Sequence, residues 1–583
     1  MEDNIQQGDY IEYETMLQKS VLLVSARQKP VYTMTGINIF ILVASNNHRC
    51  TDSNEDFVTS TSLKVSIHNY DDMPIMSITL VCGLYLFACM IGGVALVFGP
   101  KHKIEFVGRF NMVSEEHMAK AESQNYQIAE VTRESIKIRR STRRRKSVND
   151  NDEIIVVQVK HDEDEKVVKA SFVTLADYLS SSKKDMNHIK TKSRQYVWLI
   201  MTVGIYYTLP VIQLVLLYQS MSAYDGNQDL CYYNYECQYP MAGIQDFGNF
   251  FSNIGYVVLG MCFTAIVSFR WFKYRRFKEK LNYLHVEKNI GIPEQFGIFS
   301  SLGIALVLEG MLSASYHICP TKENFQFDTT FMYFIAVLLF LKVFQFRHPN
   351  LIHTSHRLFL LIGVALIEET LGYYINSFIF TLLFIIIYVI VLVVILYGIY
   401  WDGETPGIVE AYTQIITAFL SAVQNPKEVR TFPWSFITVM FINISMAIYI
   451  GIAQEPSRTS LYLLFIFMVN MAMYLGYYTF MKVYLSLYKK EVNETVRLIS
   501  WFYFVAAFAT ALPSLYYFQI VQRDSSKSPA ESRNLNQPCT LGIYDAHDFW
   551  HFLSASGLFF MFLFILTLED HNLTVNRKSI QVF

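Results

Sequence analysis

Between residues 75 and 568 the chain carries about eleven apolar runs, each long enough to cross the roughly 30 Å of hydrocarbon in a bilayer. They fall near residues 75–98, 196–219, 247–271, 295–317, 329–346, 357–374, 377–399, 433–453, 460–482, 498–520 and 547–568. Inside lipid the backbone must satisfy its own polar groups, so runs of this length have to be helices. The expected fold is an all-α polytopic membrane protein with about 11 transmembrane helices. Composition agrees, since 52% of residues are hydrophobic and 15% aromatic, more than a soluble domain of this length needs. A formal net charge of −2 gives no whole-chain argument for a nucleic-acid partner. The tightest connection is Gly372 to Asn376, which must serve as a very short turn.

Lysine and arginine set the expected orientation. The loop after the third run holds Lys273, Arg275, Arg276, Lys278 and Lys280, whereas residues 220–245 before it hold none, which places the former in the cytosol. An odd number of spans then puts the N-terminus outside or in a lumen and the C-terminus inside. Arg523, Lys527 and Arg533 in the loop after the tenth span are the exception. Residues 1–74 contain alternating β-type stretches such as Ile37 to Val43 and read as a short β-rich outer segment. Residues 99–195 form a charged cytosolic insert, in which Arg139 to Ser147 is followed by acidic stretches around Asp150 and Asp162. Opposed charge blocks without apolar periodicity read as mostly disordered. The ten-helix core, 196–568, precedes a cytosolic tail at 569–583. Cys50, Cys231, Cys237, Cys319 and Cys539 fall on the outer side, where disulfides persist. Pairings do not follow from spacing, although the closeness of Cys231 and Cys237 suits a small disulfide loop better than zinc. Five outer cysteines leave at least one thiol free or partnered elsewhere.

The polar groups of the spans carry the functional signal. Glu309, Ser313 and His317 are spaced i, i+4, i+8 and share one face of the fourth helix. His547 and His551 repeat the i, i+4 spacing that lets two imidazoles reach one ion. Given the orientation, the fourth span ends outside near His317, the fifth begins there at Asp328 and the last begins there at His547. A lone interfacial histidine is usually a hydrogen-bonding residue, and an Asp opening a helix is usually its cap. Five such groups at one depth argue for a site, because ionisable residues in membranes are costly and tend to be paired. Zinc prefers three nitrogen ligands plus a water in catalytic sites, and Ser313 and Asp328 are placed to hold and deprotonate that water. His348, His353 and His356, on a cytosolic turn without a companion carboxylate, read as interfacial residues. Glu368, Glu369 and Lys342 are further intramembrane charges that line a cavity or pair with each other.

The stretches Phe250 to Tyr256, Glu309 to Pro320, Asn324 to Tyr333 and His547 to Ala555 resemble the systemic RNA interference defective family of double-stranded RNA transporters. More distantly, the chain is similar to the alkaline ceramidase and adiponectin receptor superfamily, whose core holds zinc through three histidines with a serine and an aspartate nearby. Matched motif by motif, the resemblance implies His317, His547 and His551 as zinc ligands and Ser313 and Asp328 as catalytic residues. It implies double-stranded RNA as partner and transport by uptake or intracellular release, self-association as a homo-oligomer such as a dimer, and residence in the plasma membrane, lysosome or endosome. Family members carry a larger β-rich region before the first span, so residues 1–74 read as its remnant. An alternative is a zinc-dependent lipid hydrolase, ceramidase- or phospholipase-like. A second is a cholesterol-binding or cholesterol-uptake protein, to which Leu281, Tyr283 and Lys288, and Leu485, Tyr488 and Lys490, add a weak sterol-type pattern.

Overall fold

The structure, a computed structural model, describes residues 75–97, 174–181, 186–225 and, with gaps in the connections, 231–583. Residues 1–74, including Cys50, and most of the charged insert lie outside the described residues. The helices are α1 (Ile75–Val97), α2 (Leu175–Ser181), α3 (Met186–Asp225), α4 (Phe247–Ser252), α5 (Ile254–Lys280), α6 (Phe296–Tyr316) and α7 (Gln326–Gln345). They continue with α8 (Ser355–Tyr374), α9 (Phe378–Tyr397), α10 (Ile408–Gln424), α11 (Trp434–Ala453), α12 (Thr459–Leu487), α13 (Leu498–Val521) and α14 (Ala546–Leu568). Among the described residues there is no sheet, only isolated bridges such as Thr174 with Gln581.

Among the described residues, ten helical stretches are long and apolar enough to cross a membrane. Helix α8 is as long as several of them, at 20 residues, and carries Glu368 and Glu369 near its end. The short turn expected at 372–376 is present: α8 stops at Tyr374, and the Ser377 side chain caps α9 by accepting from the Phe380 N–H. Three elements differ from the sequence expectation. The helix of the second span starts at Met186, and α2 lies in what reads as insert. The amphipathic α10 was not anticipated, because a 17-residue helix falls below the length of a span. It buries Ala411 and accepts a hydrogen bond from the Tyr397 hydroxyl on Gln414.

The packing is that of a protein solvated by lipid. Leu84, Phe87, Ile205, Leu209, Ile379 and Phe441 point outward, while Glu309, Ser313, Asp328, Asn443 and Lys482 are buried. Helix α7 is the innermost span, with 89% of its apolar window enclosed, against 22% for α3. It lies between α6 and α12; α6 also packs on α3 and α5, and α14 on α13, α5 and α1. The α5–α6 approach is set by glycine: a Cβ on Gly260 would meet the Gly303 carbonyl at 2.9 Å, and one on Gly310 would meet the Tyr256 Cβ at 2.8 Å. Because α7 and α14 run alongside α6 in the opposite sense, the end of α6 and the starts of α7 and α14 arrive at one end of the bundle.

Candidate metal centre

Helix α14 begins at Asp545, whose side chain accepts from the N–H groups of His547 (2.8 Å) and Asp548 (3.2 Å). Asp548 completes a capping box by accepting from the Asp545 N–H at 2.9 Å. This fixes the first turn of α14 and therefore the direction of both its histidines. The last turn of α6 carries His317 beyond Tyr316, its N–H donating to the Ser313 carbonyl at 3.1 Å. The three imidazoles meet: His317 Nε2 lies 3.1 Å from His547 Nε2 and 3.2 Å from His551 Nε2. His317 and His551 are buried and His547 is half-buried.

An imidazole nitrogen offers one proton or one lone pair. His317 Nε2 therefore cannot complete both short contacts as good hydrogen bonds, whereas a shared cation accepts a lone pair from all three. With Zn–N bonds of about 2.0–2.1 Å, tetrahedral ligand nitrogens lie about 3.3–3.4 Å apart, close to the separations found. The donor set fits a metal, and this is the one such group of His, Cys, Asp and Glu among the described residues.

Ser313, one turn before His317, donates its hydroxyl to Asp328 in the first turn of α7, and both side chains are buried. Glu309 is fully buried one turn further in. The sequence signal thus assembles: three histidines in one cluster, and the serine and aspartate in one hydrogen bond. Tyr256 was part of a quoted motif but had no expected role. It stands edge-on to the His551 ring, centroids 5.7 Å apart, and its hydroxyl meets Ser554.

The cysteine expectation needs correction. Cys231 pairs with Cys319, and Cys237 with Cys539, so Cys231 and Cys237 do not close a small loop on each other. The reason is topological: Cys231 is tied to the segment that follows α6 and Cys237 to the segment that precedes α14, so the two bonds link different parts of the chain.

The other charges sort clearly. Glu369 accepts from Thr329 (3.1 Å) and Tyr333 (3.0 Å), while the Lys342 ammonium sits over the Phe299 and Phe346 rings at 4.5 and 4.6 Å. Glu369 thus meets the first half of α7, whereas Lys342 lies in its last turn. His348 stacks on Phe344 at 4.5 Å, and burial, aided by Arg347, brings it down to about 4, as suits a packed neutral residue. His353 and the side chain of His356 lie outside the described residues. Of the sterol-type patterns, 281–288 lies outside the described residues, and Leu485 of the second is fully buried.

Sequence reasoning missed a second polar cluster, at the opposite end. Arg347 donates to Glu494 (2.9 and 2.6 Å) and Glu569 (3.2 Å), and Lys482 donates to Glu569 (2.8 Å) and Glu494 (3.2 Å). Residues 581–583 cover this cluster, with Phe583 against the Arg347 guanidinium at 4.8 Å and the Gln581 carbonyl accepting from Arg347 at 2.9 Å.

Fold and site together define an all-helical, multi-pass membrane protein with a buried three-histidine cluster able to hold a metal. The sequence matches the family described as dsRNA-gated channel SID-1 over residues 3–583, and the chain belongs to that family. It is 36% identical over 413 residues to SID1 transmembrane family member 1 of Homo sapiens, covering 70% of this chain and 49% of the relative. The Mus musculus protein of the same name is 35% identical over 413 residues, again 70% and 49%. Cholesterol uptake protein 1 of Caenorhabditis elegans is 31% identical over 387 residues, 65% of this chain and 50% of the relative. The chain spans about half the length of the curated relatives it matches.

Proposed function

We propose that this chain carries double-stranded RNA across a membrane, with zinc held by His317, His547 and His551 at the end that faces outside or into a lumen. The observation that carries the transport reading is the match to the dsRNA-gated channel family over residues 3–583. The zinc reading rests on the convergence of three Nε2 atoms with no carboxylate among them. The orientation rests on the basic loop after the third span and on the two disulfides, which belong in an oxidising compartment. The expected setting is the plasma membrane, lysosome or endosome, as a homodimer. Cells expressing the chain are expected to accumulate labelled duplex RNA above empty-vector controls; accumulation equal to the controls would remove the transport reading.

A second reading is favoured by Ser313 and Asp328. A buried serine–aspartate hydrogen bond one turn from a metal-ligating histidine is the arrangement of a zinc-dependent hydrolase acting on a lipid amide or ester. Zinc supplies Lewis acidity when bound. Asp328 would take the proton of the attacking water, and Ser313 would orient that water or donate to the developing oxyanion. Purified protein is then expected to release fatty acid from ceramide or phospholipid, and Asp328→Asn to lower that rate by about 10²–10⁴-fold. No release by wild type ends this reading. A sterol role has as support the name of the C. elegans relative.

A further inference from the structure

Residues 231–241 form a strap over the metal centre, tied to both helices that carry its ligands. On the α6 side, Cys231 is bonded to Cys319, two residues beyond His317. There the Tyr232 N–H donates to the Pro320 carbonyl at 2.8 Å, and the Tyr233 hydroxyl to the Ile318 carbonyl at 2.7 Å. On the α14 side, Cys237 is bonded to Cys539, and Asn234 Nδ2 donates to Asp545 Oδ2 at 2.9 Å. The other oxygen of that carboxylate is the one that accepts from the His547 N–H.

We propose that the strap sets the distance between His317 and the His547–His551 pair, and that Asn234 is a positioning residue for the metal centre. The physical argument is one of order. His317 directly follows α6 and bonds back to Ser313, and His547 lies in the first turn of α14, held by its capping box; neither of these contacts runs between the two helices. Contacts within each helix do not set the spacing between ligands carried by different helices. The strap supplies the missing restraint: one covalent bond and two hydrogen bonds just after His317, and an anchored carboxylate on the backbone of His547. Outer partners of this kind govern metal affinity through the orientation of the ligands. The inference rests on the three histidines being a metal site.

The test uses the full-length purified protein loaded with cobalt(II), whose visible absorption reports coordination geometry, and with zinc, whose affinity is read by competition with a chromogenic chelator. Asn234→Asp keeps the size of the side chain and the acceptor used by the Glu236 N–H at 3.3 Å, and replaces the donor to Asp545 by a carboxylate oxygen that repels it. It is expected to weaken zinc binding by about 10- to 100-fold and to alter the cobalt spectrum. Adding Asp545→Asn exchanges donor and acceptor, keeps an oxygen for the His547 N–H, and is expected to return affinity and spectrum towards wild type. Asn234→Asp indistinguishable from wild type, or no recovery in the double variant, overturns the role of Asn234. On the wild type itself, reducing the disulfides with a phosphine is expected to speed zinc release at least about tenfold. An unchanged release rate overturns the strap as a whole. A wild type that binds neither zinc nor cobalt removes the metal site, a failure distinct from the other two.

Discussion

The two ends of this bundle solve the same problem, polar groups enclosed by apolar helices, with opposite chemistry. At the ion-pair end, Arg347 and Lys482 are matched to Glu494 and Glu569, each charge meeting its opposite at 2.6–3.2 Å. At the disulfide end the polar groups are imidazoles and carboxylates, Asp246, Asp545 and Asp548 among them, steadied by amides, backbone N–H groups and covalent bonds. A cluster of matched charges is complete and serves to lock helix ends together. Three imidazole nitrogens that meet at one point are a donor set able to hold a metal ion. That difference is what the proposal of a metal centre at the disulfide end rests on.

The largest effect is expected where a charge would lose its partner. Arg347→Ala leaves two carboxylates buried and should cost about 3–5 kcal/mol, seen as a large fall in the thermal unfolding temperature in detergent. A shift of a degree or less would show that the ion-pair end is not a structural lock. Next is the covalent tie. Replacing Cys237 and Cys539 together by serine should cost about 2–4 kcal/mol, while Arg347 variants should leave metal content per folded chain unchanged. Metal loss in the Arg347 variant would dissolve the distinction between the ends.

Proton linkage gives a smaller and more selective contrast. Burial, with the nearby Asp545 carboxylate, raises Asp246 from its ordinary 3.8 to about 7. The folded state then binds more protons than the unfolded between those values, so this group adds stability as pH falls from about 7 towards 4. Burial alone would push Glu569 up, but Arg347 and Lys482 override it and hold it at about 2, below its ordinary 4.5. Its contribution is present above 4.5 and is lost as pH falls towards 2. Unfolding measured from pH 8 to 5 should therefore show a gain in stability that Asp246→Asn removes. The same slope in the variant would assign the effect elsewhere.

Much of the site was legible in the sequence because it is written in helical spacing and depth. Ser313 and His317 lie one turn apart on one helix, His547 and His551 one turn apart on another, and Asp328 opens a third at the same end. The ion-pair end was not legible, since Arg347, Lys482, Glu494 and Glu569 sit on four separate segments and no periodicity links them. Disulfide partners were hidden for the same reason: Cys237 and Cys539 are 302 residues apart, and only the fold brings them together. Helix α10 escaped because its apolar face is shorter than a span. The sequence shows which residues share a helix face; which faces meet is decided by packing, such as the glycine-set contact of α5 with α6.

A metal centre at the disulfide end is tested most directly by elemental analysis of the purified protein. Wild type is expected to contain about one zinc per chain, and the variant carrying both His547→Ala and His551→Ala to contain none while keeping its folded elution profile. Wild type without zinc, or a double variant that retains it, would contradict the account.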